Sequence, residues 1–461
     1  MFDFSRPLRV HLLAIGGSGI GPLASILAQM GHRVSGCDQG DSPRLERLRA
    51  HGVEVDVGHD PAHVVDVDVV VASTAIPTQE PELVAARQRG LPVLRRSDAL
   101  AALCAQRRTL AVGGTHGKTT TTAMLAAVLH GAGSDPSFLV GGDVPGLGGA
   151  RWGAGEWFVV EADESDGTFL ELGAEAVILT SVEADHLDHH GDFDGLCRAF
   201  RRFLADAPGP RVVCIDDAGV AALAAGTDCI TYGTSEVARY RLVDLDLGRD
   251  AATFTLTEST LTEGRVAHGR ICIPMPGLHN ARNAAAAAVA ALALGAEFDA
   301  VVAGLAGFGG VARRYERRGE AAGVTFIDSY DHLPGEVAAV LAATRGGGWR
   351  RVVCVFQPHR FTRTAALWRD FADAFDGADV LAVTDVYAAG QTPMPGVSGK
   401  LIVDAVLDAR PGRRVAWLPT RRDLLAWLPA ELRAGDLCLT LGAGDLTTLP
   451  DEAMAALTAR R

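Results

Sequence analysis

The chain has 461 residues, of which 48% are apolar and 21% are charged. This composition is typical of globular proteins with packed cores, and it excludes disorder, collagen and coiled coil as the main architecture. The formal net charge of −13 argues against a free-standing nucleic-acid-binding protein, because such proteins more often carry net positive charge. At roughly 150 residues per domain, the length predicts about three domains.

The eight cysteines are scattered, mostly within apolar runs, without the CxxC or Cys/His spacing of a metal site. We interpret them as reduced thiols of a cytoplasmic protein. The N-terminus runs directly into a strand pattern, so no signal peptide is evident. The most apolar stretch, residues 284–294, is too short to span a bilayer, and we expect no stable membrane insertion. Only two lysines are present, Lys118 and Lys400.

The pattern of strands and helices in residues 1–106 predicts a first α/β domain. The segments VHLLAIGG, HRVSGCD and VDVVVAST read as strands, with helical patterns in IGPLASILAQMG and SPRLERLRAHG. Apolar runs bounded by glycine favour buried parallel strands joined by crossover helices. A basic segment at residues 106–108 ends this domain.

A glycine-rich turn follows the first strand and contains Gly16, Gly17, Ser18 and Gly19. Such a turn can hold the pyrophosphate of NAD, FAD or a nucleotide sugar, although this signal alone is weak. Asp38, at the end of the second strand, is placed to reach a ribose hydroxyl. It could equally be an ordinary acid at a helix N-terminus.

Residues 107–318 predict the second domain, and its first strand leads into the strongest motif of the chain. The motif comprises Gly113, Gly114, Thr115, His116, Gly117, Lys118, Thr119 and Thr120. Its glycines let backbone N–H groups approach phosphate oxygens, while a helix N-terminus, a lysine and a threonine hydroxyl complete a nucleotide site. Gly113 lies one residue too close to the Gly-Lys pair for the standard GxxxxGK[ST] pattern, which indicates a distinct subfamily.

Two acidic segments follow strands of the same domain. EADESD begins at Glu161 after WFVV, and EADHLD begins at Glu183 after AVILT and contains His186. Carboxylates at strand ends suit Mg²⁺ beside nucleotide phosphates, although either segment alone could be a solvated turn. Together with the glycine-rich loop they favour a metal–nucleotide site. A polar, β-rich segment and an Ala-rich helix after HNARN complete this domain.

Residues 319–461 predict the third domain, where the strand patterns VTFIDSYD, RRVVCVFQP, DVLAVTDVY, RVAWLP and DLCLTLGAG alternate with helices. The sequence therefore predicts three consecutive α/β domains. Arg360 and Arg363 follow one of the strands. Two arginines three residues apart suit bidentate capture of a carboxylate or phosphate; the alternative is a solvated basic helix start.

Several motifs occur in an order and spacing that resemble the Mur ligases of peptidoglycan synthesis. They are GTHGKTTTTAM, EADESD, EADHLD, GLHNARNAAAA, RRYE, FQPHRFTRT, DVYAAG and GAGD. The likeness covers essentially the whole chain and is strongest to the alanine-adding branch. It implies a Rossmann-like N-terminal domain for the UDP-sugar, a central P-loop ATPase domain with a mostly parallel sheet, and a Rossmann-like C-terminal domain that contacts the amino acid and nucleotide.

The resemblance also implies the reaction. ATP phosphorylates the lactyl carboxylate of UDP-N-acetylmuramate, and the amine of L-alanine attacks the acyl phosphate to give an amide, ADP and phosphate. ATP and Mg²⁺ are the implied cofactors. The implied partners are these small molecules, with no nucleic acid, in a monomer or homodimer.

Site residues are carried over from the resemblance motif by motif. The implied catalytic residues are Lys118, His186, His332 and Arg363. The implied ATP-binding residues are Gly113, Gly114, Thr115, His116, Gly117, Lys118, Thr119, Thr120, Asn280 and Asn283 near adenine, Arg314 near phosphate and Asp328 near ribose. The implied metal ligands are Thr119, Glu161 and His186. The implied substrate-binding residues are Gly16, Gly17, Ser18, Gly19, Asp38, Ser73 and Thr74 for the UDP-sugar, and His359, Arg360 and Arg363 for the amino acid.

The chain departs from the family pattern at four positions near the implied site. They are Ser329 and Leu333 in the family's DDYxHHP segment, Gln391 after YxAG and Ser181 before EADH. These changes keep open a recycling ligase that adds a murein tripeptide to the same UDP-sugar, or a degenerate nucleotide-binding homologue. An oxidoreductase would rest on the first glycine-rich turn alone and would leave the phosphate loop unexplained.

Overall fold

The computed structural model describes residues 2–73, 76–260 and 264–459. The chain forms two compact units. The first comprises Met1–Asp244, Thr255–Ile271 and Arg282–Gly309, and the second comprises Leu245–Phe254, Cys272–Ala281 and Gly310–Arg461. Three sheets organise the chain, in agreement with the predicted series of three α/β domains.

The first sheet has five strands in the order β3-β2-β1-β4-β5, and all its pairs are parallel. Its elements are β1 (Arg9–Leu13), α1 (Gly21–Gln29), β2 (Arg33–Asp38), α2 (Pro43–Ala50), β3 (Glu54–Val57), β4 (Val69–Ala72), α3 (Pro81–Gln88), β5 (Val93–Arg95) and α4 (Arg96–Cys104), with a 3₁₀ turn at Pro61–Val64. The strand order reverses at β1. The carboxyl ends of β1 and β4 therefore border the crevice where sheets of this kind bind ligands.

Alternation along β1 separates two layers of core. Val10 and Leu12 pack into the large cluster on one face of the sheet, while Leu13 joins a smaller cluster on the other face, beneath α3. The all-parallel sheet with an apolar core on each face confirms the predicted Rossmann-like arrangement. Apolar, β-branched strands covered by helices on both faces produce such a sheet.

The second sheet has ten strands in the order β15-β14-β13-β12-β11-β10-β6-β9-β7-β8. Its strands are β6 (Arg108–Gly113), β7 (Ser137–Leu139), β8 (Ala150–Arg151), β9 (Trp157–Glu161), β10 (Ala176–Leu179), β11 (Arg211–Cys214), β12 (Ile230–Gly233), β13 (Tyr240–Leu247), β14 (Ala252–Thr260) and β15 (Gly264–Ile273). Its helices are α5 (Lys118–Gly131), α6 (Leu187–His190), α7 (Phe193–Asp206), α8 (Ala218–Ala224), α9 (Leu278–Ala293) and α10 (Phe298–Ala306), with 3₁₀ turns at Glu164–Asp166 and Thr168–Glu171. The β-rich segment predicted from the sequence forms β13 to β15 at one edge.

The helix after the glycine-rich loop, α5, is the buried centre of this domain. Helix α10 packs against α5 closely, since a Cβ at Gly304 would lie 2.7 Å from Val128 Cα. Helix α9 begins at Leu278, before the HNARN segment rather than after it as predicted. Pro276 and Gly277, which has a positive φ of +94°, lie between β15 and α9. The helix therefore starts directly after Gly277, and Asn280 and Asn283 lie inside it.

The third sheet has the order β16-β17-β21-β18-β19-β20 and is parallel except for the edge pair β16–β17. Its strands are β16 (Glu316–Ala321), β17 (Val324–Ser329), β18 (Val352–Phe356), β19 (Val380–Val383), β20 (Val415–Trp417) and β21 (Leu437–Leu441). Its helices are α11 (Pro334–Thr344), α12 (Phe361–Leu367), α13 (Lys400–Ala409), α14 (Arg421–Glu431) and α15 (Leu449–Ala459), with 3₁₀ turns at Arg345–Gly347 and Asp445–Thr448. The predicted boundary at residue 318 falls within β16, and both domain boundaries stay predictions.

Two general features complete the fold. Across the described residues, no helix combines the length and the apolar character that crossing a membrane requires. Six cysteines are buried, Cys229 is half-buried and Cys272 is exposed.

Candidate active site

Three strand ends meet at one edge of the second sheet. Strand β6 pairs in parallel with β9 on one side and with β10 on the other. The glycine-rich loop follows β6, Glu161 ends β9, and Ser181 follows β10. Parallel pairing therefore brings the loop and both acidic segments to the same edge, which is where open α/β sheets bind ligands.

The phosphate loop requires glycine at two positions. Gly114 has a φ of +127° and Gly117 has a φ of +79°. A Cβ at Gly114 would lie 2.2 Å from the Thr180 Oγ1, and a Cβ at Gly117 would lie 2.5 Å from the Asn283 Oδ1. The loop therefore depends on glycine for its conformation and for its close approach to neighbouring side chains.

The end of β10 holds the loop through hydrogen bonds. The Thr115 N–H donates to the Ser181 carbonyl at 2.9 Å, and the His116 N–H donates to the Ser181 Oγ at 2.9 Å. The Thr180 hydroxyl donates to the carbonyls of Gly113 and His116. Ser181, which departs from the family's asparagine, is thus part of the scaffold of the loop.

Lys118 is folded back into the loop. Its Nζ donates to the carbonyls of Gly114 at 2.6 Å and Thr115 at 3.2 Å, and it pairs with Glu164 Oε2 at 2.9 Å. The two side chains are only 14% and 2% exposed. Burial would lower the pKa of Lys118, but Glu164 and the nearby Asp163 and Glu161 outweigh burial and raise it above its usual value. Lys118 therefore carries its positive charge throughout the physiological range.

Glu161 and Thr119 form an oxygen pair beside Lys118. The Thr119 Oγ1 donates to the Glu161 Oε1 at 3.0 Å, and the Gly141 N–H donates to the Glu161 Oε2 at 2.8 Å. Two adjacent oxygen ligands of octahedral Mg²⁺, at about 2.1 Å each, lie about 3 Å apart. The donor set and the spacing therefore fit Mg²⁺. Sequence analysis missed Gly141, where a Cβ would lie 2.6 Å from the Glu161 Oε2.

His186 lies after β10 in a left-handed conformation, with a φ of +53°. Its Nε2 is 3.2 Å from the Asp185 Oδ2, and its backbone N–H donates to the same carboxylate. Over the described residues, Glu161 and His186 do not belong to a group of three or more close His, Cys, Asp or Glu side chains.

The other implied nucleotide residues lie on α5, the loop and α9. Thr120 is buried in the first turn of α5, and the His116 Nε2 is 2.9 Å from the Glu183 Oε2. Asn283 is buried, and its side chain abuts Gly117. The Asn280 Nδ2 donates to the Pro276 carbonyl at 2.8 Å. This bond occupies one donor of Asn280, whose predicted contact with adenine stays a prediction.

The glycine-rich turn of the first domain is connected to Asp38. The Gly16 N–H donates to the Asp38 Oδ2 at 2.9 Å, so this carboxylate holds the turn. Two arginines that sequence analysis missed lie at the same turn. The Arg44 Nη1 donates to the Gly16 carbonyl at 2.6 Å, and a Cβ at Gly19 would lie 2.8 Å from the Arg96 Cδ.

Ser73 follows β4, whose carboxyl end borders the same crevice, and its predicted contact with the UDP-sugar stays a prediction. Gly17 closes the turn by donating from its N–H to the Ala14 carbonyl at 2.9 Å. Thr74, which the sequence places with Ser73, lies outside the described residues. Ser18 lies in the turn itself.

In the third domain, Asp328 is 1% exposed and accepts three hydrogen bonds from its neighbours. Its carboxylate accepts hydrogen bonds from the hydroxyls of Thr440 and Thr447, both at 2.7 Å, and from the Arg313 Nε at 3.4 Å. A carboxylate offers about four acceptor positions, so these three bonds leave capacity for a ribose hydroxyl. The Arg314 guanidinium lies 5.2 Å from the centre of the Tyr330 ring.

An imidazole and arginine cluster lies at the carboxyl edge of the third sheet. The rings of His332 and His359 are 5.5 Å apart, and the Arg363 Nη1 lies 3.1 Å from the His359 Nδ1. Burial, with His332 and Arg363 nearby, lowers the pKa of His359 to about 3. His359 is therefore neutral at physiological pH, and its Nδ1 accepts the hydrogen bond from Arg363. Arg360 immediately precedes α12 as its N-cap residue, with a φ of +67°, and is exposed.

Three of the family departures have local partners in this domain. The Ser329 Oγ donates to the Asp331 carboxylate and accepts from the Tyr315 N–H at 3.0 Å. The Gln391 Nε2 donates to the Thr362 Oγ1 at 2.9 Å, beside Arg360. Leu333 is buried at the start of α11.

A cleft of about 230 Å³ lies at the same edge, where four strands of the third sheet end. Its lining includes Gln357, Asp385, Tyr387, Arg421 and Asp445. The Tyr387 ring stacks on His359 with centroids 5.8 Å apart. Sequence analysis missed most of this lining, because the residues come from four separate loops that only the fold brings together.

Family comparisons match all three domains. The description "Mur ligase family, catalytic domain" matches residues 9–108, "Mur ligase middle domain" matches 112–291, and "Mur ligase, glutamate ligase domain" matches 313–444. A curated relative from Kineococcus radiotolerans, named UDP-N-acetylmuramate–L-alanine ligase, is 48% identical over 98% of this chain and 97% of its own length.

Solved structures agree with these matches. The UDP-N-acetylmuramate–alanine ligase of Thermotoga maritima superposes with a TM-score of 0.82 at 26% identity, over 98% of this chain and all of that one. A murein peptide ligase of Psychrobacter arcticus has a TM-score of 0.71 at 24% identity, covers 98% of both chains and shows the shared fold. With its phosphate loop, its acidic strand ends and three matched domains, the chain belongs to the Mur ligase family.

Proposed function

We propose that the protein is an ATP-dependent ligase that joins L-alanine to the lactyl carboxylate of UDP-N-acetylmuramate in peptidoglycan precursor synthesis. The alanine-ligase name of the full-length relative at 48% identity agrees with the activity implied by the sequence. The observation that carries the proposal is the meeting of Lys118, Thr119 and Glu161 at the carboxyl edge of one parallel sheet. ATP use follows from membership of the family.

For the nucleotide, we assign the phosphates to the loop N–H groups and to Lys118. When phosphate enters, the Lys118 Nζ exchanges its bonds to Gly114 and Thr115 for phosphate oxygens and keeps its pairing with Glu164. Mg²⁺ would be held by Thr119 and Glu161, with His186 near a second ion, and it would offset charge on the transferring phosphoryl group. Asn283, against Gly117, would fix the loop beneath the nucleotide.

The reaction has two steps. A carboxylate oxygen of UDP-N-acetylmuramate attacks the γ-phosphorus of ATP, the bond to the β–γ bridging oxygen breaks, and ADP leaves. The neutral amine of L-alanine then attacks the acyl carbon and phosphate leaves, so that the amide and one proton are the remaining products. Lys118 stabilises negative charge in the first step, because a buried, charged lysine keeps its full electrostatic effect away from bulk water.

For the UDP-sugar, the proposed site is the crevice between the ends of β1 and β4. The glycine-rich turn supplies backbone N–H groups, and Arg44 and Arg96 add positive charge for the diphosphate. Asp38 is already bonded to the Gly16 N–H and would meet a ribose hydroxyl with its remaining acceptor capacity.

For the amino acid, we assign the carboxylate to Arg360 and Arg363. The neutral His359 ring accepts the Arg363 hydrogen bond at its Nδ1, so its Nε2 carries the proton and can donate to a carboxylate oxygen of the incoming amino acid. His332, beside His359, would contact the reacting carboxylate. The cytoplasmic location and the monomeric or dimeric state stay predictions.

Two alternatives are less favoured. A ligase for the murein tripeptide shares the fold, but the relative at 48% identity is named for L-alanine. A degenerate homologue would have no reason to keep the Thr119–Glu161 pair and the buried Lys118 together.

The test is ADP release by the purified chain with UDP-N-acetylmuramate and each of L-alanine, glycine, L-serine and the tripeptide. The proposal expects L-alanine to give the highest kcat/KM. A pocket discriminates by one methyl group by only about 1–3 kcal/mol, so glycine should be used roughly 10–200-fold less well. Exclusive use of the tripeptide would establish the recycling reaction, and binding of ATP without turnover with any acceptor would establish the degenerate homologue.

A further inference from the structure

A group of metal-ligating side chains, three buried and one half-buried, lies beside the first sheet, and the proposed ligase reaction does not use it. His11 projects from β1, Cys37 from β2, His63 from the 3₁₀ turn after β3, and Glu82 from α3. One ligand atom from each of the four lies within 4.8 Å of every other. We call this group the His₂-Cys-Glu cluster.

The contacts centre on the Glu82 carboxylate. The Cys37 Sγ lies 3.0 Å from the Glu82 Oε2, the His63 Nδ1 lies 2.6 Å from the Glu82 Oε1, and the His11 Nε2 lies 3.8 Å from the Glu82 Oε2. Four ligands around a tetrahedral Zn²⁺, with bonds of about 2.0–2.3 Å, lie roughly 3.3–3.7 Å apart. The observed separations bracket that range, so small side-chain rotations would form the site.

The cluster contains a carboxylate that is removed from water and held by hydrogen bonds from Cys37, the Asp60 N–H and His63. Glu82 is 0%, Cys37 0% and His11 1% exposed. The ion-pair partners of Glu82 in the described part of the chain are histidines (His11, His59 and His63), and no lysine or arginine contacts it. A carboxylate removed from water is expensive unless a positive charge is beside it.

The orientation of His11 also points to a ligand. Its Nδ1 is bonded to the Ser35 Oγ at 2.9 Å, which fixes the ring and aims the Nε2 into the cluster. Within the described residues, that buried Nε2 has no hydrogen-bond partner. Imidazoles that bind metals are held in this way, with one ring nitrogen bonded to a protein group and the other directed at the ion.

We infer that His11, Cys37, His63 and Glu82 form a structural Zn²⁺ site in the N-terminal domain. One thiol, two imidazoles and one carboxylate are ligands that Zn²⁺ accepts in tetrahedral geometry. Cys37 loses its thiol proton to solvent when the Zn–S bond forms, and the histidines bind as neutral imidazoles. The dication, the thiolate and the carboxylate then sum to zero net charge, which suits a buried position.

The location gives the ion a structural task. Cys37 immediately precedes Asp38, which holds the Gly16 N–H, and the Gly58 N–H donates to the Asp38 carbonyl at 2.8 Å. The Asp60 N–H donates to the Glu82 Oε1 at 2.8 Å, and the His59 Nδ1 lies 3.2 Å from the Cys37 Sγ. The ion would therefore connect β1, the end of β2, the 3₁₀ turn after β3 and α3.

Metal binding by the full-length chain tests the inference directly. The protein is treated with a chelator under reducing conditions and titrated with Zn²⁺, and separately with Co²⁺ as a spectroscopic probe. We expect one equivalent of Zn²⁺ per chain, a higher melting temperature with Zn²⁺, release of protons on binding, and a Co²⁺ spectrum with tetrahedral bands and a thiolate-to-cobalt charge-transfer band.

Variants identify the ligands. Cys37→Ser should abolish the charge-transfer band and weaken Zn²⁺ binding by more than about 100-fold, and Glu82→Gln should weaken it by at least about tenfold. Cys104→Ser is the matched control, because Cys104 is also buried in this domain but lies outside the cluster; it should bind like the wild type. Binding of less than about one-tenth of an equivalent of Zn²⁺ per wild-type chain would overturn the inference. So would a cobalt–thiolate band that survives in folded Cys37→Ser, and if that variant does not fold, the wild-type cobalt spectrum alone decides.

Discussion

Replacing Lys118 should damage the stability of the nucleotide domain as well as its chemistry. Lys118→Met removes the cation that pairs with the 2%-exposed Glu164 at 2.9 Å. Breaking one side of a buried ion pair costs about 3–5 kcal/mol, because the remaining charge is left uncompensated. We therefore expect Lys118→Met to lower the free energy of unfolding by about 3–5 kcal/mol and to abolish ADP release.

The partner substitution separates the two effects. Glu164→Gln in the Lys118→Met background removes the stranded charge, and replacing a buried pair with neutral groups is often close to neutral in stability. The double variant should therefore regain about 2–3 kcal/mol as coupling energy, while ADP release stays absent. Binding of the UDP-sugar, proposed for the first sheet, should persist in both variants.

Urea unfolding of the same transition in each variant, paired with an ADP-release assay, provides the measurement. The other lysine supplies the control. Lys400 is 58% exposed and pairs with Asp404 at 2.7 Å on α13, so Lys400→Met should change stability by less than about 0.5 kcal/mol. The reasoning fails if Lys118→Met is as stable as the wild type, or if the double variant is no more stable than the single one.

Three further predictions concern other parts of the proposed site. Arg360→Ala and Arg363→Ala should each weaken amino-acid binding by about 1.5–3 kcal/mol per lost charged hydrogen bond, which raises the KM for the amino acid. The KM for ATP should change little. An unchanged amino-acid KM in both variants would reject the role. Ser181→Ala deprives the His116 N–H of its acceptor, so the KM for ATP should rise about tenfold, whereas Ser181→Thr should retain most of the affinity in isothermal titration. Because the pKa of His359 is lowered to about 3 from its usual 6.5, protons favour the unfolded state, and stability should fall as pH drops from 6.5 towards 3. His359→Gln should flatten that acid limb in urea melts at a series of pH values, and an unchanged limb would contradict the assignment.

The sequence predicts the fold class and the phosphate loop because both have local signals. Glycine-bounded apolar strands predict parallel sheets, and a Gly-Lys-Thr segment between a strand and a helix predicts a nucleotide site. The two acidic segments are predicted together because parallel strands end at a common edge. The start of α9 is predicted too late, since Gly277 permits the helix to begin ahead of Asn280.

Residues that act through tertiary contact have no such signal. Arg44 and Arg96 look like ordinary surface arginines of helices until the fold brings them to the glycine-rich turn. Gly141 lies shortly after the three-residue strand β7, and only the hydrogen bond from its N–H to Glu161 links it to the site. The members of the His₂-Cys-Glu cluster come from four elements, spread over more than seventy residues of chain, so no spacing pattern could reveal them.

The hydrogen bonds from Thr180 and Ser181 to the phosphate loop have a consequence for how nucleotide is captured. Fixing the backbone of one residue costs about 1–2 kcal/mol of conformational entropy. If the loop were disordered without ligand, this cost would reduce the free energy of ATP binding. Here folding of the central sheet has already fixed residues 113–116. For four residues this is roughly 4–8 kcal/mol that ATP does not have to supply. The conformational entropy of the loop is thus lost during folding rather than on ATP binding. The free energy of the phosphate contacts can therefore contribute to catalysis.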